Sequence, residues 1–155
     1  MAKDLKYFMK EHKEEIVSVP GPATFTDENG ETIMLEIRTM SNKEIRKINE
    51  YYRKRTIALN EDGAPYINGN EVVFMTEDDH TKASGHIIAE ALVYPNLKDR
   101  QLMDFYNCID ISEIARTVFS RADDYLHVQR AVFAALGLTK DTKPNESEAL
   151  EEAKN

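Results

Sequence analysis

The chain has 155 residues, 41% of them hydrophobic and 31% charged, with a formal net charge of −8. That length suits one domain able to bury roughly 70% of its unfolded surface, and no run approaches the ~18–20 apolar residues that span a bilayer. The acidity makes nucleic acid the less favoured partner, because its binders usually present a net basic face.

The N-terminus, Met1-Ala-Lys-Asp-Leu-Lys-Tyr-Phe-Met-Lys10, lacks the unbroken apolar core of a secretory signal. The single cysteine, Cys108, excludes an internal disulfide framework and suits a reducing compartment. Within residues 3–13, Leu5, Phe8 and Met9 recur at i, i+3, i+4, which predicts a short helix with one apolar face. Such a helix is too short to stand alone and is expected to dock, on its own domain by preference or else on a partner.

A β-like stretch follows at Glu15–Val19, broken by Pro20-Gly21-Pro22. Asp27-Glu-Asn-Gly-Glu31 is a turn signal, and Thr32–Thr39 is rich in β-branched residues, so a β-hairpin is expected around 15–39. Ser41-Asn-Lys-Glu44 forms a capping box opening a helix through Ile45, Ile48, Tyr51 and Tyr52 to about Thr56. Residues 60–71 read as a loop, with a short hairpin into Val72–Met75.

A second helix is predicted from Thr76-Glu-Asp-Asp79 through Leu92, stopping before Pro95. Leu97, Leu102, Phe105 and Tyr106 again fall at helical spacing, and Asp110–Ser112 can cap a helix holding Ile114, Val118 and Phe119. A last helix covers Ala122–Leu136, closed by Gly137 in the C-cap role. The pattern predicts a mainly α (α+β) protein: about five helices with a small β-hairpin near the N-terminus. One domain spans 1–138, and a polar, flexible tail spans 139–155.

Catalytic motifs are missing from the sequence. Neither Gly-x-x-x-x-Gly-Lys-Ser/Thr nor Gly-x-Gly-x-x-Gly occurs, so nucleotide binding through those loops is excluded. Of the histidines, His80, His86 and His127 lie outside any His-Glu-x-x-His or Cys-x-x-Cys frame. Asp123, Asp124 and His127 share a helix, as do His86 and Glu90, yet acidic groups in a first turn and i,i+4 pairs are ordinary helix chemistry. Cys108 in Tyr-Asn-Cys-Ile reads as packed core. No enzyme, no metal and no cofactor is expected. The basic stretch 43–55 (Lys43, Arg46, Lys47, Arg53, Lys54, Arg55, with Tyr51 and Tyr52) supports an alternative reading as a nucleic-acid-binding accessory protein. The other reading of that stretch is a solvated helix facing the acidic 61–79 region.

Leu5-Lys-Tyr-Phe-Met-Lys10, Leu35-Glu-Ile-Arg38, Ser41-Asn-Lys-Glu-Ile45, Leu92-Val-Tyr-Pro-Asn-Leu-Lys-Asp99 and Glu148-Ala-Leu-Glu-Glu-Ala-Lys-Asn155 occur in that order along the chain. This series resembles the XkdN-like tail assembly chaperones of phages and prophages of Gram-positive bacteria. The chain departs from them in its longer acidic loop at 60–79. The resemblance implies a protein of the bacterial host cytoplasm, absent from the mature virion. It would coat the phage tape measure protein, keep it soluble without ATP, and yield to tail tube subunits; self-association is left open. It also implies a −1 frameshift near the end of the frame, where Ala153-Lys154-Asn155 can be encoded with a slippery run. The expected partner-binding residues are Tyr94, Pro95 and Leu97, at a break between helices, and Leu5, Phe8 and Met9 in the first segment.

Overall fold

The computed structural model describes residues 3–139. The tail expected from 139 onward, with Ala153–Asn155, lies beyond Thr139 and so outside the described residues. After a 3-10 turn at Leu5–Phe8 come β1 (Ile16–Pro20), β2 (Met34–Arg38), α1 (Asn42–Tyr51), β3 (Arg53–Ile57), β4 (Ile67–Asn68), β5 (Glu71–Val72) and β6 (Phe74–Asp78). Then follow α2 (His80–Ala91), β7 (Leu92–Tyr94), α3 (Arg100–Tyr106), α4 (Ile114–Val118) and α5 (Ala122–Ala135).

The expectation of a mainly helical protein is overturned: the chain is 38% helix and 23% strand, an α+β mixture. Two misread segments account for the difference. The helix expected to reach Thr56 ends at Tyr51, and Arg53–Ile57 instead pairs antiparallel with Phe74–Asp78, in register Arg53↔Asp78 to Ile57↔Phe74. Helical spacing in that stretch yields to cross-strand pairing, which Thr56 and Ile57 favour as β-branched residues. Correspondingly, Thr76–Asp78 is strand, and only Asp79 caps α2, its carboxylate accepting from Lys82 N at 3.1 Å. The second difference lies at 92–94. Helix α2 stops at Ala91, and Leu92–Tyr94 joins β2 as the third strand of a sheet ordered β1-β2-β7.

The hairpin at 15–39 is present. Strands β1 and β2 pair in register Ile16↔Arg38 to Pro20↔Met34, and its turn at Asp27–Gly30 is set by Asp27 Oδ1 accepting from the N–H groups of Asn29 and Glu31. The capping box of α1 also forms, Ser41 Oγ accepting from Glu44 N at 3.2 Å. Gly137, with φ +75, closes α5 through its N–H to the Ala134 carbonyl.

The core gathers Leu35 and Ile37 of β2, Ile88, Ala89 and Ala91 of α2, Leu92, Leu97, Ile114, Ala115, Val118 and Phe119 around α4, and Val128 and Val132 of α5. A smaller cluster joins α1 to α2 through Ile45, Ile48, Ala83 and Ile87. Helix α2 is therefore lined on several sides, and at Gly85 its backbone lies against the carbonyl of Ser112 just before α4. A β-carbon at position 85 would overlap that carbonyl oxygen, which belongs to backbone that cannot swing aside.

Gly85→Ala should therefore destabilise the fold by about 1–3 kcal/mol, the usual range for overpacking, despite alanine's better helix propensity. Urea denaturation checks this; a stability equal to or above wild type would contradict the close approach.

Candidate protein-binding surface

The sheet β1-β2-β7 has two unlike faces. Alternation along the strands sends Leu35, Ile37 and Leu92 into the core, with Val17 and Val19 beside them at the edge. The opposite face carries Ile16, Ser18 and Pro20 of β1, Met34, Glu36 and Arg38 of β2, and Tyr94 opposite Glu36. Ile16, Met34 and Tyr94 are all exposed there, with Val93 half-exposed at the bulge between Leu92 and Tyr94. An antiparallel sheet commonly leaves one face to water, but that face is then mostly polar. Here large apolar side chains stand on it in several places.

The β1 edge has a second feature. Glu15 and Gly21 exchange backbone bonds with Thr39 and Ile33. By alternation Val17 and Val19 do likewise with Ile37 and Leu35, so Ile16, Ser18 and Pro20 turn their backbone groups to the open edge. Helix α5 crosses beneath, leaving a cleft of about 760 Å³ lined by Val17, Val19, Leu126, Ala131, Ala134 and Ala135, with Asp123, His127 and Arg130 along it. His127 Nε2 donates to the Pro20 carbonyl at 2.9 Å, tying helix to strand at one end of the cleft.

A third projecting element is the arm formed by β3–β6. Ile57, Leu59, Tyr66, Ile67, Phe74 and Met75 are exposed on it, and none of its residues belongs to either core cluster.

The expected contact residues are spread across these features. Tyr94 is 51% exposed on the open sheet face, and Pro95 beside it is half-buried. Leu97 is wholly inside the core, at 0% exposure, and reaches no surface. Leu5, Phe8 and Met9 do not dock on their own domain: they are 70%, 84% and 74% exposed, on a 3-10 turn shaped by Asp4 accepting from Lys6 N. That segment leads into β1, at the edge of the sheet opposite β7 and Tyr94. Ile16 and Met34 escaped the sequence reading; strand alternation would have placed them with Tyr94 only once the β1-β2-β7 register was known.

The side chains weighed for metal chemistry are occupied structurally. Asp124 accepts from Thr24 Oγ1 at 2.9 Å, locking the hairpin loop to α5, and Asp123 pairs with Arg121 at 3.1 Å. Among the described residues no group of three or more His, Cys, Asp or Glu converges as a metal site would require. In the basic stretch, Arg53 meets Asp78 at 2.9 Å, Lys54 meets Asp79 at 3.6 Å, and the Arg55 guanidinium stacks 4.0 Å over Phe74. The acidic residues before α2 thus face the basic strand within the chain itself.

Glu90, in the last turn of α2, gathers the groups around the Tyr94 corner. Its carboxylate meets Lys98 Nζ at 2.9 Å, His86 Nε2 at 3.5 Å and Arg38 at 3.6 Å, and its carbonyl accepts from Arg38 Nε at 2.7 Å. His86 Nδ1 in turn lies 2.8 Å from the Tyr52 hydroxyl. Burial works to raise the Glu90 pKa, but the Lys98 hydrogen bond and charge, with His86 beside it, outweigh burial and hold it below the ordinary 4.5.

The sequence matches the phage XkdN-like tail assembly chaperone protein family over residues 5–154. It is 25% identical over 148 residues to the phage-like element PBSX protein XkdN of Bacillus subtilis (strain 168), covering 94% of this chain and 93% of that one. The crystal structure of the protein yqbn superposes with a TM-score of 0.64 at 20% identity, over 90% of this chain and 100% of that one, a likeness of fold.

Because Glu90 is held below its ordinary value, its cluster stabilises the fold fully above pH 4.5, and that contribution is lost as pH falls through the lower folded value. Glu90→Gln should be less stable than wild type at neutral pH, with the gap narrowing in acid. Urea melts at a series of pH values from roughly 7 down to 3 check this; a gap independent of pH would contradict it.

Proposed function

The chain belongs to the XkdN-like family of phage tail assembly chaperones, and from that premise we propose that it binds the phage tape measure protein, holds it soluble, and gives way to tail tube subunits. The observation that supports this reading is the uncovered sheet face with Ile16, Met34 and Tyr94 exposed on it. A sheet with helices on one side only is completed by a helix laid on the other, the usual two-layer arrangement. A tape measure segment with an apolar stripe at i, i+3, i+4, i+7 supplies such a helix. Tyr94 is the anchor: its ring adds apolar area while its hydroxyl stays wet, the combination enriched in binding hot spots. Pro95 shapes the corner beside it, and Leu97 supports that corner from inside.

The work is holding and release. Surface complementarity without a nucleotide motif makes release a matter of competition: tube subunits that polymerise on the rod displace the chaperone by mass action. The place of action is the cytoplasm of the bacterial host, and the finished particle lacks the protein. Among the described residues no helix is long and apolar enough to cross a membrane. No catalytic step is assigned. The nucleic-acid reading loses its support where Arg53 and Lys54 are paired with Asp78 and Asp79.

Co-expression with the tape measure protein tests the reading. The complex should co-purify, and the tape measure protein should stay soluble only in its presence. Tyr94→Ala should weaken binding about tenfold, ~1.4 kcal/mol, and leave the melting temperature nearly unchanged, since half of the side chain is already in water. Failure to co-purify, or a Tyr94→Ala protein that unfolds yet binds as before, would contradict the assignment.

A further inference from the structure

Two features of the chain remain unabsorbed: an apolar segment that finds no place on its own body, and a cleft that nothing in the chain fills. The segment holds Leu5, Phe8 and Met9, all exposed, on a 3-10 turn. The cleft lies between β1 and α5, lined by Val17, Val19, Leu126, Ala131, Ala134 and Ala135. We infer that the N-terminal segment of one copy docks in the β1–α5 cleft of a second copy, so that copies join head to tail.

Several observations select a second copy as the occupant. The segment is kept from its own cleft by the course of the backbone. Glu15 still pairs with Thr39, its carbonyl accepting from Thr39 N at 2.8 Å and its N–H donating to Thr39 Oγ1 at 3.0 Å, while Glu14 meets Arg38 at 3.6 Å. The chain therefore continues in line with β1 beyond the end of the sheet, and residues 3–13 lead away from the cleft beside Val17 and Val19.

Charge also favours a copy of the same chain. Segment 3–13 carries Lys3, Lys6, Lys10 and Lys13 against Asp4 and Glu11, in a chain of net charge −8. Past Pro20, the cleft opens toward the hairpin loop carrying exposed Asp27, Glu28 and Glu31, and Asp123 stands on its rim, with Arg130 as the cation along its length. A basic apolar strip thus meets an apolar floor on an acidic body. Geometry agrees as well: the backbone groups of Ile16 and Ser18 face the open edge of β1, ready to pair with an added strand.

Because donor and receptor are different surfaces, the interface is heterologous and repeats from copy to copy instead of closing as a two-fold dimer. One short segment per junction makes each contact weak. The chain of copies becomes firm only where something else aligns them, as a rod bearing many binding positions would. The inference needs no tape measure protein and stands or falls apart from the proposed function.

Sedimentation of the purified full chain tests it. The average mass should rise above the 17.8 kDa monomer with concentration, and the rise should shrink with added salt. Phe8→Ser removes the donor and Leu126→Lys blocks the receptor; both positions are exposed enough to spare the fold, which circular dichroism verifies. Each variant alone should stay monomeric, while an equimolar mixture should give a one-to-one dimer and nothing larger, because only one kind of junction is left intact. A wild-type chain that stays monomeric up to near-millimolar concentration overturns the inference, as does a mixture that forms no dimer. If a peptide of residues 3–13 binds the Phe8→Ser chain while wild type remains monomeric, the segment fills its own cleft and the inference also fails.

Discussion

Strand β2 is the one member of its sheet with partners on both sides, and its inward residues Leu35 and Ile37 sit in the cluster that also holds α2, α4 and α5. The burial of these two side chains couples the sheet to the helices, and each fully buried aliphatic contributes roughly 1.5–3 kcal/mol. Everything that could meet a partner follows from this coupling. Because the helices cover β2 from one side, the other side of the sheet is left bare. Because α5 lies over β2 and not over β1, Val17 and Val19 roof a cleft. Polar pins fix the two ends of the arrangement: His127 holds the Pro20 end of β1 to α5, and Arg38 reaches the last turn of α2 at Glu90.

What sequence patterns revealed, and what they hid, has a physical basis. Local signals held where the interaction is local: the Ser41 cap, the Asp27–Gly30 turn and the Gly137 stop each depend on groups a few residues apart. Arg53–Ile57 was misread because its β-character comes from pairing with residues about twenty positions away, and its alternation of long cations with Thr56 and Ile57 mimics an amphipathic helix. Leu92–Tyr94 was misread for the same reason: only β2, far back in the chain, makes it a strand. The candidate surface was half-legible. Tyr94 was picked out by its place before a proline, but Ile16 and Met34 join it only through the sheet register, and Leu97, chosen for its proximity to Tyr94, is turned inward.

Charge is distributed unevenly in a way that suits an interaction protein. The positive side chains of 53–55 are spent within the chain, on Asp78, Asp79 and the face of Phe74. The lysines of the first segment, by contrast, stand on exposed backbone next to exposed apolar groups. An acidic protein whose basic groups are concentrated in one projecting strip is repelled by its own kind at long range and attracted at one place. This combination keeps free copies apart while permitting specific contacts.

The arm of β3–β6 closes on itself by backbone hydrogen bonds: Ala58 N–H donates to Val73 O, Val73 N–H to Tyr66 O, and Tyr66 N–H to Ala58 O. Ala58 is buried inside this ring, while both core clusters are assembled without any residue of the arm. Structural information therefore flows only one way, from the body that anchors the arm to the arm. Lengthening, shortening or re-decorating the arm leaves the body's packing constraints untouched, so this is the part of the molecule where selection can change partner preference without renegotiating the fold.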